Sequence, residues 1–154
     1  TEKFMKKCAE CGIDGVIVPD VPFEERQEVM DACDAQGVEL ISMIAPTSKE
    51  RINMIAKEAK GFLYCVSSSG IGGVRNNITT NIREMVHQVK AVSDIPCAVG
   101  FGISTPTQAK EMAALSDGAI VGSAIVKIIA KYGKNCISPV CDYIKEMKAA
   151  VEAA

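Results

Sequence analysis

Two glycine turns and one serine-glycine loop hold the residues best suited to chemistry in this chain of 154 residues. Gly100-Phe101-Gly102-Ile103-Ser104 follows one apolar run, and Gly122-Ser123-Ala124-Ile125 follows another and leads directly into a helical pattern. Bare amides at a helix start bind phosphate, because the first-turn N–H groups have no partner within the helix and the helix dipole favours negative charge. Taken singly, each glycine can instead be a steric necessity of a tight strand-to-helix turn. Two consecutive units of this kind point to an anion site. The loop Ser67-Ser68-Ser69-Gly70-Ile71-Gly72-Gly73-Val74-Arg75 concentrates hydroxyls and backbone N–H groups. Such a segment folds over an anion or serves as a lid, with a long solvated turn as the plain alternative.

Other candidates are weaker. Cys8 and Cys11 have the spacing of a redox pair or half a zinc site, but no strand precedes them and no second ligand pair follows. His87 lies mid-helix at the edge of an apolar stripe and reads as a surface histidine. Asp20, beside Pro19 and Pro22 at the end of the first strand, either faces the ligand end or caps a helix.

The elements that must position these loops alternate. Five short β-rich runs, at residues 15–18, 38–44, 62–66, 95–99 and 119–121, lack strict alternation, which predicts strands buried on both faces. Residues 2–11 read as a helix with Phe4, Met5, Cys8 and Cys11 on one stripe and Gly12 as its stop. Pro22 opens a second helix with Val29, Met30 and Cys33 inward. Thr47 and Glu50 form a capping box before Ile52, Ile55, Ala56 and Ala59; Thr105, Pro106 and Gln108 repeat it before Ala109, Met112 and Ala113. Residues 80–92 place Ile82, Met85, Val86 and Val89 on a stripe, and helical runs at 123–131 and 140–151 close the chain.

Each connection is long enough for a crossover helix, so the strands are parallel. Periodicity fits a doubly wound open sheet and a β/α barrel alike, and the loops separate them. In full barrels of about 250 residues the phosphate site is formed by the loops after the seventh and eighth strands with a short extra helix. Gly102 with Ile103, and Gly122 with Ser123, fit those two loops, and residues 123–131 fit the extra helix. The five runs become strands four to eight of a partial (β/α)8 barrel. The expectation is a single incomplete domain over residues 1–154, starting in mid-helix, with the N-terminal part of the barrel absent.

Composition sets the remaining bounds. With 48% apolar and 5% aromatic residues, the core is mainly aliphatic and forms one globular unit. A formal net charge of −2 with one histidine offers no basic field for nucleic acid or an anionic membrane. The longest apolar runs, such as 119–126, are far shorter than the ~20 residues of a membrane span, and no signal-peptide layout appears. A cytoplasmic location is expected. Seven cysteines at irregular spacing, with Cys65 and Cys97 inside apolar runs, read as reduced core thiols.

The wording of the motifs carries a family likeness. Ile17-Val18-Pro19-Asp20-Val21-Pro22 with Glu24 and Glu25 is followed by Ala45-Pro46-Thr47, then by Tyr64 ahead of the serine-rich loop. The two glycine turns come next, the second extended by Val126 and Lys127. In order and spacing this set resembles the second part of tryptophan synthase alpha chains, over nearly the whole chain. The glycine turns occur in many phosphate-binding barrels; the ordered set is much more specific. The resemblance implies a TIM barrel and a lyase that splits indole-3-glycerol phosphate into indole and glyceraldehyde 3-phosphate. It also implies a complex with a tryptophan synthase beta chain; pyridoxal phosphate belongs to that partner, and no cofactor or metal is expected in this chain. By motif, Gly73, Gly102, Ile103, Gly122 and Ser123 would hold the substrate phosphate. Tyr64, Phe101 and Met43 would line the pocket, and Ser69, Gly70 and Gly72 would belong to the lid.

The family's general acid/base glutamate and the aspartate that meets the indole nitrogen have no matching motif here. Cleavage needs a proton delivered to the ring carbon and another taken from the side-chain hydroxyl, so the resemblance implies phosphate binding without turnover. Gly72 departs from the family's usual threonine, which helps order the lid. Two other readings share the turns: a non-catalytic phosphate-binding half-barrel, and a phosphoribosyl isomerase or epimerase type of barrel. Five strands cannot close an eight-stranded barrel, and open edges with exposed apolar surface predict self-association.

Overall fold

The computed structural model describes residues 1–66, 75–100 and 102–154, with side chains at 75–80 excepted. Strands β1 (Gly15–Val16), β2 (Glu39–Leu40), β3 (Met43–Ile44), β4 (Leu63–Val66), β5 (Cys97–Gly100) and β6 (Gly118–Ile120) alternate with helices. The helices are α1 (Glu2–Glu10), α2 (Gln27–Asp34), α3 (Lys49–Glu58), α4 (Arg75–Lys90), α5 (Pro106–Ala113), α6 (Ser123–Tyr132) and α7 (Ile137–Glu152). Every pairing is parallel: β1 with β2, then β3, β4, β5 and β6 side by side in chain order. Parallel neighbours require a crossover between them, and α2, α3, α4 and α5 supply these.

The run expected at 38–44 divides its pairing between two neighbours. Glu39 and Leu40 pair with β1, Met43 and Ile44 with β4. Between them the Ile41 N–H donates to Val16 O and the Tyr64 N–H donates to Ser42 O, so the chain hands over from one partner to the next. The strand positions therefore run β1, β2 with β3, β4, β5, β6, matching the five expected.

Side chains on these strands meet two environments. Ile44, Cys65, Val99 and Ala119 are successive register partners and pack outward. With Leu63 and Cys97 they form the main core against Ile52 and Ile55 of α3, Ile82, Met85 and Val89 of α4, Ala109 and Met112 of α5, and Met147 of α7. Burying aliphatic side chains of this size stabilises the fold by about 1.5–3 kcal/mol each. The other face carries Met43, Tyr64, Ala98 and Gly118 in one register row, and all four are only half-buried. The expectation of strands buried on both faces is corrected here, because the helices cover one face only. A smaller cluster of Met5, Ala32 and Cys33, with Val16, Val29 and Leu40 against it, seats α1 and α2 beside β1 and β2.

Helix boundaries follow local chemistry with some shifts. In α1, Met5 and Cys8 are buried, whereas Phe4 is 61% exposed and Cys11 is exposed, so the inward stripe is narrower than expected. Pro22 opens only a 3-10 turn at Phe23–Glu25, and α2 starts at Gln27. Ser48 rather than Thr47 caps α3, its hydroxyl accepting the Arg51 N–H at 3.3 Å. α5 has the full reciprocal box between Thr105 and Gln108 with Pro106 as its first residue. α4 begins at Arg75 and buries Ile82, Met85, Val86 and Val89, leaving His87 exposed. α7 begins at Ile137, with Pro139 inside its first turn, where a missing N–H has no helical partner to lose. Among the described residues no helix is long and apolar enough to cross a membrane.

Candidate functional site

The phosphate-type turns leave β5 and β6 at the same level. Gly100 is the register partner of Ile120, so Gly102 and Gly122, each two residues further on, emerge side by side from adjacent parallel strands. This juxtaposition brings two separate sequence signals together at the C-terminal ends of the strands, where β/α folds bind ligands.

The first turn is held by its flanks. Gly102 takes φ +76°, a conformation that residues with a side chain rarely adopt, and Ile103 is buried in the main core. Ile103 can therefore offer a ligand only its backbone. The Ser104 N–H donates to Gln108 Oε1 at 2.9 Å and the Thr105 N–H donates to the same oxygen at 3.2 Å. Tyr143 on α7 donates its hydroxyl to the Ser104 carbonyl at 2.8 Å.

The second turn opens on a helix. Gly122 is the N-cap of α6 and no side chain caps it. Gly122 and Ser123 are exposed, and a Cβ built on Gly122 would meet nothing within 4 Å. Helix geometry leaves the first N–H groups of α6 without intrahelical acceptors, and the positive dipole end adds to their pull on an anion. The site's charge comes from backbone dipoles.

The wall below the turns is Tyr64. It stands between Met43 and Ala98 in the register, and its ring leans over the next strand so closely that a Cβ on Gly100 would fall inside it. Gly100 is thus the space that lets a phenol lie across β5 beneath the glycine turns. Met43 adjoins Tyr64 and also lines a cavity of about 480 Å³ together with Val18, Pro19, Ala45 and Pro46. The proline motifs of the sequence therefore meet around one hollow. At its margin Arg26 is 9% exposed, lies 3.5 Å from the Phe23 ring centroid and pairs with Glu58, while Arg51 pairs with Glu24.

Of the expected site residues, Gly102, Ile103, Gly122 and Ser123 lie beyond the C-terminal ends of β5 and β6, and Tyr64 and Met43 sit in one register row below them on the face away from the helices. Gly73 and Phe101, and the lid residues Ser69, Gly70 and Gly72, fall outside the described residues. Asp20 is exposed in the turn after β1 and caps no helix, which removes its capping alternative. Among the described residues no group of three or more His, Cys, Asp or Glu side chains could hold a metal ion. Asp117 is structural: at the opposite end of the strands it accepts the Cys97 N–H at 2.7 Å and the Lys90 ammonium at 2.8 Å. Burial opposes its ionisation, but the Lys90 ammonium and the Cys97 N–H outweigh it and hold the carboxyl below its ordinary range. Sequence reasoning missed Tyr143, because nothing local marks a hydroxyl whose acceptor is 39 residues away.

Comparisons with known proteins agree with the parallel β/α fold. The family model described as tryptophan synthase alpha chain matches residues 1–152. The tryptophan synthase alpha chain of Thermoanaerobacter sp. (strain X514) is 46% identical over 153 residues, covering 99% of this chain and 56% of the relative. That of Methanocaldococcus jannaschii is 46% identical over 132 residues, covering 85% of this chain and 47% of the relative. Among solved structures, the tryptophan synthase subunit alpha from Campylobacter jejuni superposes with a TM-score of 0.85 at 35% identity, over 95% of this chain and 58% of that one. A tryptophan synthase structure from M. tuberculosis, in an aminoacrylate-bound form, gives 0.81 at 30% identity, over 97% of this chain and 55% of that one. The chain spans about half the length of the curated relatives it matches. Its parallel strands and crossover helices correspond to about half of a β/α barrel.

Proposed function

The chain belongs to the tryptophan synthase alpha chain family, and on that premise we propose that it forms the phosphate-gripping part of the lyase that cleaves indole-3-glycerol phosphate. The observation that carries this reading is the side-by-side emergence of the Gly102 and Gly122 turns from β5 and β6. Backbone N–H groups at Gly102, Ile103, Gly122 and Ser123 take the phosphate oxygens, with Gly73 closing from the serine-glycine loop. Tyr64, with Phe101 and Met43, lies beside the indole. Fixed amide dipoles suit this task because they hold a dianion without a titrating partner.

The reaction breaks the bond between the indole ring carbon and the glycerol side chain. It needs an acid at the ring carbon and a base at the hydroxyl. No motif of this chain supplies that pair, so the chain alone binds phosphate without turnover, and the acid/base groups come from the part of the family's length it does not span. A beta chain is the expected partner, and pyridoxal phosphate belongs there. β1 and β6 each keep an edge without a strand partner among the described residues, and Val126, Ile129 and Ile137 are 62%, 44% and 74% exposed. These features support self-association of the isolated chain.

Isothermal titration of glycerol phosphate into the chain tests the reading, with Gly122→Asp as the control. Saturable binding by the native sequence that the variant loses is the expected result. No binding by the native chain would sink the phosphate reading.

A further inference from the structure

We propose that Tyr143 is a positioning residue for the substrate phosphate, a strap that fixes one phosphate turn against the other; this rests on the reading of the two turns as the phosphate grip. The Tyr143 hydroxyl donates to the Ser104 carbonyl at 2.8 Å, joining α7 to the turn after β5. Its ring packs on the main core and lines a cleft that also contains Val121 and Ile125, which flank Gly122 and Ser123 in the chain. One side chain thus bonds the first turn and borders the cleft beside the second. α7 itself packs against α5, which the first turn enters, and against α6, which the second turn starts.

The first turn needs such a strap. Gly102 has no side chain, and a Cβ built there would meet nothing within 4 Å, so local packing does not hold it. Gln108 fixes the N–H side of Ser104 and Thr105, and Ile103 anchors one side chain. The carbonyl side is held by Tyr143. Without that bond the peptide unit joining Ser104 to Thr105 keeps only its N–H bond to Gln108 at 3.2 Å, and amides aimed at an anion lose part of their preorganisation.

The plain alternative is that Tyr143 only seats α7 on the core. Tyr143→Phe separates the two, since it keeps the ring and removes the hydroxyl. Three measurements on the whole chain decide: glycerol phosphate affinity, affinity for indole, which lacks the phosphate, and amide hydrogen exchange at Ser104 and Thr105. The expected result is glycerol phosphate binding weakened by about three- to tenfold, the loss typical of one net hydrogen bond. Indole affinity should stay unchanged, exchange at Ser104 and Thr105 should quicken, and Tyr132→Phe, at an exposed tyrosine of α6, should behave as the native chain. If the native chain binds glycerol phosphate and Tyr143→Phe binds it equally well, the strap is refuted while the phosphate site stands. If the native chain does not bind at all, both fall. Equal losses for glycerol phosphate and indole would assign Tyr143 to general packing and overturn the proposal. Should the variant fold too poorly to titrate, fast exchange at Ser104 and Thr105 in the native chain would itself exclude a strap.

Discussion

The two faces of β3, β4, β5 and β6 are made from alternate residues of the same strands, yet they are built for different ends. On the outer face Leu63, Cys65, Cys97 and Val99 have no solvent exposure and lock into four helices. On the inner face Met43, Tyr64, Ala98 and Gly118 are half-buried and carry small residues where a large ring must lie. The outer face holds the fold, and the inner face carries the candidate site. Helices cover the first, which explains how an arrangement matching about half of its relatives' length still forms a coherent core.

The largest expected effect tests this division directly. Leu63→Ala should destabilise by roughly 2–5 kcal/mol in urea unfolding, whereas Ile120→Ala on the inner face should lose less than half as much; equal losses would erase the contrast between the faces. A second experiment separates stability from binding at the strand ends. Gly122→Asp places a carboxylate at an uncapped helix start where a Cβ has open space. It should raise stability by about 0.5–1 kcal/mol through capping while weakening glycerol phosphate binding more than about tenfold. A fall in both would mean that the turn is structural only.

Smaller effects refine the picture. Thr105→Ala removes half of the box that starts α5 and should destabilise by about 1 kcal/mol in thermal unfolding, with a modest loss of glycerol phosphate affinity because the same box borders the first turn. An unchanged melting temperature would show that Gln108 alone secures this end. Asp117→Asn probes the opposite end of the strands. Asp117's carboxyl is held below its ordinary range, so its stabilising contribution is present above the unfolded value of about 3.9 and is lost as pH falls through the lower folded one. Lys90 is raised, chiefly by its hydrogen bond to Asp117, so its share is lost only in alkali as pH rises through its folded value. Acid unfolding monitored by circular dichroism should therefore show a shallower pH dependence below about pH 4 in Asp117→Asn, with phosphate affinity at neutral pH unaffected. A variant with the native acid profile would remove Asp117 from this role.

Much of the fold was legible because it rests on short-range rules. The Thr105 box, the Ile82, Met85, Val86 and Val89 stripe and the glycine turns each depend on residues within four or five positions, and the structure places them as read. The misreadings share a cause. Thr47 and Ser48 are both competent caps, and only the path of the chain from β3 into α3 selects Ser48. Phe4 and Cys11 lie near the apolar stripe of α1, but the small cluster that α1 meets has room for Met5 and Cys8 alone.

By itself, then, the sequence determined the alternation of strand and helix, the family and the positions of the glycine turns, since propensity, capping and glycine placement are written locally. Tertiary structure alone decided that the two turns stand abreast, that the strands are covered on one face, that residues 39–44 pair with two neighbours in succession, and that Tyr143 reaches Ser104. Those facts come from register and crossover packing, where contacts join residues tens of positions apart and no local pattern specifies the partner.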